Sequence, residues 1–354
     1  MAAAGDGTNE GDTAGDVVLD TVTLGFPWTT LDPFLVTVHH VDHYPAGDGD
    51  LSPATSVGRR DGDTDPSTPG WSMYHGTGVP GFPQHPHRGF ETVTFVRKGI
   101  IDHSDSLGAT ARYGAGDVQW LTAGRGVQHA EMFPLLDEDG PNTLELFQIW
   151  LNLPAVDKMA DPHFTMFWAE DLPTTVLKDD AGHRTEVTVV AGAFGDVEPL
   201  PAPPESWASR DETDVAIWQF QAQPSARWSL PPVRGADTVR MLYVYEGAVE
   251  IDGRTLEAPV GALLRADLPA VVVTGPDGAA ALVLQGRPID EPVAMGGPFV
   301  MNTRTEIETA YRDYRETGFG GWSWPTGDPV HTRTTPRFAH RPDGRTEYPE
   351  GPAS

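Results

Sequence analysis

The stretch HPHRGFETVTFV, residues 85–96, decides the fold of this chain. Its second half alternates β-branched and aromatic side chains over residues 92–96, a pattern typical of a strand. Gly99 then predicts a turn into a second strand. The same combination of apolar runs and glycine turns recurs at Val118–Leu121 and Leu144–Leu151. The sequence therefore predicts an all-β fold built from antiparallel strands.

The second half of the chain repeats this pattern. YVYEGAVEIDG at 243–253 echoes TFVRKGIIDHS at 94–104: each has an apolar strand, a glycine turn and a returning strand. Two unrelated hairpins could also produce this match. We expect two similar β-barrels, one in each half of the chain.

Composition shifts predict the domain boundaries. We expect a disordered tail at 1–16, a first domain at 17–160, a second domain at 161–320 and a C-terminal extension at 321–354 that trails over the surface. Within the first domain, residues 45–70 are dense in Gly, Pro, Asp and Ser, which predicts an exposed, mobile insertion.

One helix is predicted at the end of the second domain, over residues 303–317. Thr303-x-x-Glu306 forms a capping-box pattern, and apolar residues follow at helical spacing. Gly318 is a natural stop for this helix. Its expected role is to pack against a barrel.

Charge and cysteine content exclude several functions. The chain has 354 residues with a formal net charge of −27, which disfavours direct binding to nucleic acid because its phosphates are also negative. The absence of cysteine excludes disulfides, thiolate catalysis and sulfur-ligated metals. No apolar run reaches the length of a membrane span, and no secretory signal is visible at the N-terminus. These features predict a cytoplasmic protein with no membrane contact.

Two short motifs carry the chemistry. His85 and His87 lie two residues apart, so on a strand they share one face, and His129 and Glu131 repeat this spacing. If the two strands are neighbours, three imidazoles and one carboxylate converge as ligands for one metal ion. The spacing also leaves Glu91 as a competing fourth ligand. The other histidines lack partners at such spacing, although His75 could reach the mouth of a pocket.

A known family is similar to this sequence. HPHRGFETVTFV at 85–96 and GDVQWLTAGRGVQHAEMF at 116–133 closely resemble the pirin family of the cupin superfamily, as do FQIWLNLP at 147–154 and EPVAMGGPFVMNT at 291–303. The resemblance covers residues 17–320. It implies a bicupin, two antiparallel cupin β-barrels finished by a C-terminal helix.

The resemblance also implies one metal site in the first barrel, with His85, His87, His129 and Glu131 as the ligands. Glu91 would then be a structural or outer group. The expected ion is Fe(II), although Mn, Ni, Co, Cu or Zn would suit the same ligands. The second half has no histidine between His183 and His331, so it cannot repeat the site.

Bacterial pirins resemble quercetin 2,3-dioxygenases, which implies a small aromatic, flavonol-like substrate and dioxygen. Glu131 is the expected catalytic base for the 3-hydroxyl of the substrate. Candidate apolar walls are Phe82, Phe90, Trp120 and Met132, each of which could instead be ordinary core. Arg88 and Arg125 could orient an anion or tie a loop to a carboxylate. The alternative function is a non-enzymatic, iron-dependent regulator that binds a protein partner.

Overall fold

The structure is a computed structural model that describes residues 16–62, 70–235 and 237–350. Apart from Asp16, the tail predicted at 1–16 lies outside the described residues. The described chain is mostly β, which confirms the predicted all-β class. Its strands fall into two halves with long antiparallel pairings in each.

Two strands of the first half carry the histidine motifs. In chain order, all the described strands up to the end of the first half are β1 (Val18–Thr23), β2 (Phe34–Tyr44), β3 (Arg59–Arg60), β4 (Trp71–Ser72), β5 (Gly81–His87), β6 (Phe90–Lys98), β7 (Ile100–Asp105), β8 (Thr110–Gly114), β9 (Val118–Thr122), β10 (Val127–Met132), β11 (Asn142–Asn152) and β12 (His163–Phe167).

The strands of the second half and of the extension surround one α-helix. They are β13 (Thr174–Lys178), β14 (Arg184–Ala191), β15 (Ala216–Ala222), β16 (Arg227–Leu230), β17 (Val239–Ile251), β18 (Arg254–Glu257), β19 (Val260–Leu264), β20 (Ala270–Gly286), β21 (Ala294–Gly296), β22 (Phe299–Met301), β23 (Phe338–His340) and β24 (Thr346–Glu347), with α1 at Arg304–Thr317 and 3₁₀ turns at Trp207–Ser209, Asp211–Thr213 and Gly318–Gly320.

The first half is a sandwich of two sheets. One has the order β24-β23-β8-β7-β10-β5 and the other the order β12-β9-β6-β11-β2. Aromatic and aliphatic side chains fill the space within this half, among them Tyr44, Ile101, Leu121, Leu146 and Phe164. Because the sheets do not hydrogen-bond to each other around a closed circle, each half is a cupin-like jelly-roll sandwich, where we had expected closed barrels.

The second half is built on a nine-stranded sheet whose main path is β1-β19-β17-β20-β15-β14-β13. Strands β17 and β20 are long enough to bend and also pair with β18 and β16. This half therefore has the same jelly-roll character as the first, as the repeated sequence pattern predicted.

The two halves share a third apolar core. Strands β6 and β11 are buried on both faces, and their outward residues Val93 and Phe147 pack in one cluster with Ile217, Tyr243 and Leu282 of the second half. A strand buried on both faces reads as a continuous apolar run. This explains why residues 92–96 carry no charged side chain.

The chain crosses between the halves at both ends. Strand β1 pairs with β19, so the first ordered strand lies in the sheet of the second half and not in the first domain where the predicted boundary at 17 placed it. Val18 packs into the core of that second half. In the opposite direction, β23 of the extension pairs with β8 of the first half.

The extension is anchored by hydrogen bonds to a buried ion pair of the first half. Arg112 pairs with Asp102 and also donates to the backbone carbonyls of His331, Thr332 and Thr335. These contacts hold the segment firmly on the first half. The described part of the extension lies on the surface, as expected, and hydrogen bonds and strand pairing hold it there.

The insertion predicted at 45–70 is anchored in the part that the structure describes, which excludes 63–69. Leu51 is buried against Val79 and Met132, and its carbonyl accepts the Leu135 N–H. Arg59–Arg60 pairs in parallel with Trp71–Ser72. One leucine and backbone hydrogen bonds thus dock a segment whose composition suggested mobility, although Val57 is exposed as expected.

Helix α1 begins and ends as its sequence predicted. The Thr303 hydroxyl accepts the Glu306 N–H and the Glu306 carboxylate accepts the Thr303 N–H, so the capping box is complete. Gly318 ends the helix in the left-handed conformation. Ile307 and Ala310 pack on Phe299 and Met301. Among the described residues, no helix is both long enough and apolar enough to cross a membrane.

Candidate metal centre

The two histidine motifs lie on neighbouring strands. Strand β5 carries His85 and His87, β10 carries His129 and Glu131, and the two strands pair antiparallel with His129 directly opposite His85. The pairing register shifts between His129 and Glu131, where the ladder contains an irregularity. Side chains two residues apart share a face, so this pairing brings both motifs to the same side of the sheet.

Three imidazoles meet there. The ring centroid of His85 lies 4.4 Å from that of His129 and 4.8 Å from that of His87. One ring nitrogen from each residue falls within 4.8 Å of the others, a grouping that could hold a metal ion. The sequence prediction that these three histidines converge is confirmed by this geometry.

Backbone carbonyls orient two of the rings. The Nδ1 of His85 is 2.9 Å from the Pro83 carbonyl oxygen, and the Nδ1 of His87 is 3.4 Å from that of Pro298. A carbonyl only accepts, so each Nδ1 carries the proton and each Nε2 keeps its lone pair. Outer hydrogen bonds of this kind fix the tautomer of metal-binding histidines.

The third ring is the most deeply buried of the three. His129 is fully buried, and within the described residues neither of its ring nitrogens has a hydrogen-bond partner. A buried polar group with no partner costs about 1–3 kcal/mol. A bound cation would satisfy one of these two nitrogens, so the residues present fit a divalent metal.

Burial also keeps the imidazoles neutral. It lowers the pKa of His85 to about 4 and lowers the pKa values of His87 and His129 well below the usual histidine value, with the neighbouring imidazoles adding to the effect on the latter two. Metal ligation requires the unprotonated ring. These histidines are therefore ready to bind a metal without first losing a proton.

Glu131 stands at the edge of the imidazole group. Its Oε2 lies 3.8 Å from the Nε2 of His129. Gln148 donates to this same oxygen over 2.8 Å, and the Thr94 hydroxyl donates to Oε1 over 3.2 Å. Burial raises the pKa of Glu131, while the nearby His103 and these donors act to lower it. Its role as the fourth ligand stays a prediction.

Glu91, the competing carboxylate, lies elsewhere and has other partners. It accepts hydrogen bonds from Trp120, Thr122 and Ser206, and from the Trp207 N–H. Ser206 and Trp207 belong to the second half, so Glu91 connects the two halves. Its side chain acts as a structural group, as the resemblance implied.

A cavity of about 910 Å³ opens over the imidazole group. Its walls come from β2, β5, β10 and β11, from the segments that precede β2 and β5, and from Gly297 and Pro298 near the second half's helix. Besides His85, His87 and Glu131, its lining includes Phe26, Val36, Val38, His40, His75, Phe82, Gln148 and Trp150.

The predicted walls are right at one position of four. Phe82 lines the cavity, but Phe90, Trp120 and Met132 do not. Trp120 packs in the core between the halves, and Met132 packs against Leu51. Phe90 lies behind the wall, where it contacts Trp150 at a centroid distance of 4.3 Å. These three residues are core, the other reading that the sequence allowed.

Arg88 and Arg125 bind carboxylates of the protein itself. Arg88 donates to Asp313 of helix α1 over 2.8 Å and lies over the Phe319 ring, and Arg125 pairs with Asp161. Neither lines the large cavity. The structure therefore supports their tying role and not a role in orienting an anion.

The sequence prediction missed several cavity residues. His40, Gln148 and Trp150 line the cavity, and His75 reaches it as expected. Val36, Val38 and His40 alternate along β2, which places them on one face. That alternation was available in the sequence, but only the pairing of β2 with β11 shows that this face looks into the cavity.

Comparisons with known proteins agree with this fold and site. A family model described as pirin matches residues 63–151, and the pirin C-terminal cupin domain matches residues 217–320. A Pseudomonas aeruginosa protein named as a candidate quercetin 2,3-dioxygenase is 37% identical over 239 residues, which cover 68% of this chain and 79% of the relative. Human pirin is 33% identical over 68% of this chain and 78% of its own length.

A solved structure shows the same architecture. The crystal structure titled quercetin 2,3-dioxygenase from Acinetobacter baumannii is 28% identical and superposes with a TM-score of 0.64, covering 82% of this chain and 87% of that one. With both halves matched by the family's two domains and relatives above 30% identity across most of their length, this chain belongs to the pirin family.

Proposed function

We propose that this protein is a metal-dependent dioxygenase of the quercetin 2,3-dioxygenase type, acting on a flavonol-like aromatic substrate. The observation that carries the proposal is the convergence of three neutral imidazoles, of which His85 and His87 line a cavity of about 910 Å³. That volume lies within the range of small-molecule sites. The names of the bacterial relatives support the same reaction class.

His85, His87 and His129 would hold the metal, with Glu131 as the proposed fourth ligand and Fe(II) as the proposed ion. A divalent ion bound there would supply a Lewis acid and a route for electrons between substrate and dioxygen. Three neutral imidazoles and one carboxylate leave a net charge near +1, which favours an anionic substrate oxygen at the centre.

Glu131 is the proposed base. Its buried carboxylate has a raised pKa and can accept the proton of the substrate's 3-hydroxyl. Gln148 donates to Oε2 and holds the carboxylate at the cavity wall. Phe82 and Trp150 offer flat apolar surfaces on which an aromatic ring can lie, and Val36 and Val38 exclude water from it.

The test is aerobic incubation of the iron-, manganese- or nickel-loaded protein with quercetin. We expect oxygen-dependent loss of the flavonol absorption band. Absence of this loss with all three metals would contradict the dioxygenase proposal. Under the alternative of a protein-binding regulator, the metal would still bind but quercetin would persist.

The ligand set is tested separately by elemental analysis. The His85→Ala and Glu131→Ala variants should each retain less metal than the unmodified protein after identical loading and gel filtration. Arg125→Ala, at an exposed ion pair outside the cavity, is the control and should keep full occupancy. Full occupancy in both ligand variants would show that the assignment is wrong.

A further inference from the structure

Three polar side chains, Asp42, Tyr74 and His40, form a hydrogen-bonded series that ends at the cavity wall. The Tyr74 hydroxyl lies 2.6 Å from the Asp42 Oδ2, and the His40 Nδ1 lies 2.8 Å from the same hydroxyl oxygen. Asp42 and His40 share one face of β2, and all three side chains are buried. None of these three side chains is needed to bind the metal.

The hydrogen bonds of Asp42 fix the direction of this chain. Asp42 accepts the Ser72 N–H over 2.6 Å and faces the Arg60 guanidinium at 3.5 Å. Burial raises the pKa of Asp42, whereas the Tyr74, Ser72 and Arg60 contacts act to lower it. Surrounded by donors, the carboxylate acts as an acceptor, so the single hydroxyl proton of Tyr74 points toward Asp42.

The tautomer of His40 follows from this direction. Because the Tyr74 proton is donated to Asp42, the hydroxyl oxygen can only accept from His40, so the proton of the neutral imidazole is assigned to Nδ1. Nε2 then carries the lone pair. Burial lowers the pKa of His40 to about 3, so the ring stays neutral at ordinary pH.

The position of His40 suits a ligand that also reaches the metal centre. Its ring lines the cavity, and its sole hydrogen bond among the described residues is the one through Nδ1. The Phe82 ring is near both sites, with its centroid 6.0 Å from that of His40 and 6.3 Å from that of His85. An aromatic ligand lying along Phe82 would contact both.

We propose that the Nε2 of His40 accepts a hydrogen bond from an aromatic hydroxyl group of the substrate, and so selects hydroxylated over unhydroxylated ring systems. Asp42 and Tyr74 are positioning residues that hold the acceptor tautomer. The inference rests on the proposed function for the flavonol-like substrate class, but it concerns binding and not turnover.

Binding under anaerobic conditions separates this inference from the proposed reaction. Metal-loaded protein is titrated with quercetin, which carries hydroxyls, and with flavone, which carries none, and quenching of tryptophan fluorescence reports the Kd. In His40→Phe, which keeps an aromatic ring, quercetin affinity should fall about tenfold, the loss expected for one hydrogen bond. Flavone affinity should be unchanged. His43→Phe, at an exposed position of the same strand, is the control and should bind both as before.

The tautomer is measured directly by nitrogen-15 NMR of the histidine side chains. His40 in the unmodified protein should show a protonated Nδ1 and an unprotonated Nε2. In Tyr74→Phe the acceptor for Nδ1–H is removed, so the tautomer should shift and quercetin affinity should fall while the His40 ring remains. This variant keeps the test valid if His40→Phe folds poorly.

Four results would overturn the inference: a protonated Nε2 in the unmodified protein, an equal loss of quercetin and flavone binding in His40→Phe, unchanged selectivity in His40→Phe, or no binding of quercetin at all. Selective binding without oxygen-dependent turnover would support His40 as the selecting residue and reject the dioxygenase. Oxygen-dependent turnover together with unchanged selectivity in His40→Phe would support the dioxygenase and reject His40 as the selecting residue.

Discussion

At the scale of single residues, His129 is the side chain whose surroundings point most directly to a ligand. It is buried, and within the described part of the chain neither ring nitrogen has a hydrogen-bond partner, while His85 and His87 each have a carbonyl partner for Nδ1. A bound metal ion should therefore stabilise the buried ring of His129 more than the rings of His85 and His87.

We expect His129→Ala to abolish stoichiometric metal binding. Chelation should lower the Tm of the unmodified protein, because an ion that binds only the folded state stabilises it by mass action. Chelation should leave the Tm of His129→Ala unchanged. Thermal scans with and without chelator, together with elemental analysis, measure both effects. An equal Tm shift in the variant would place the ion elsewhere.

Glu91 is the residue at which pH should act on stability. Burial raises the pKa of its carboxyl from 4.5 to about 7, against four hydrogen bonds that lower it. Between pH 4.5 and 7 the folded state keeps a proton that the unfolded state has lost, so the stability contributed by Glu91 falls as pH rises through this window. The total change is on the order of 3 kcal/mol.

Glu91→Gln cannot ionise and should lack this dependence. The free energy of unfolding of the unmodified protein, relative to that of Glu91→Gln, should therefore be larger at pH 5 than at pH 8, as measured by urea denaturation. Glu186→Gln, at an exposed position on β14, is the control and should show no such change. A constant difference between Glu91→Gln and the unmodified protein would mean that Glu91 does not titrate in this range.

At the scale of elements, helix α1 is the segment whose formation is most locally specified. Its capping box satisfies backbone N–H groups at the first turn, and its Tyr311 hydroxyl donates to the carbonyl of Gly296, two residues before Pro298, whose own carbonyl orients His87. A stronger N-cap should therefore keep one wall of the metal centre better ordered.

Thr303→Ala should reduce the free energy of unfolding by about 1 kcal/mol, because one helix N–H loses its acceptor. Urea denaturation measures the change. Thr305→Ala, exposed within the same first turn, is the matched control and should change stability by less than about 0.5 kcal/mol. Equal effects of the two substitutions would show that propensity, and not the cap, matters here.

At the scale of the whole molecule, the two halves are joined too extensively to unfold separately. They share an apolar cluster, β1 lies in the second half's sheet, and β23 lies in the first half's sheet. Removing side-chain volume from the shared cluster should therefore affect both halves at once.

We expect one cooperative unfolding transition, and Ile217→Ala should lower the free energy of unfolding by about 2–5 kcal/mol, since Ile217 is completely buried between the halves. Far-ultraviolet circular dichroism and tryptophan fluorescence should give coincident curves. Val176→Ala, at a position 38% exposed, is the control and should change little. Two separated transitions would contradict the shared core.

The sequence by itself determined the features that depend on neighbours along the chain. Alternation and glycine turns specified strands, Thr303 and Glu306 specified a helix start, and the i, i+2 spacing placed His85 and His87 on one face. Each depends on backbone geometry that repeats over two to four residues, so local pattern is sufficient to predict it.

Only the tertiary structure decided which faces meet. Strand pairing set His129 opposite His85, placed Glu91 against Ser206 instead of the metal site, and turned His40 toward the cavity. Each of these outcomes depends on register and packing between segments far apart in the chain. A side chain's direction on its strand is local, but what it faces depends on the strand or loop that packs there, and no pattern within one segment contains that information.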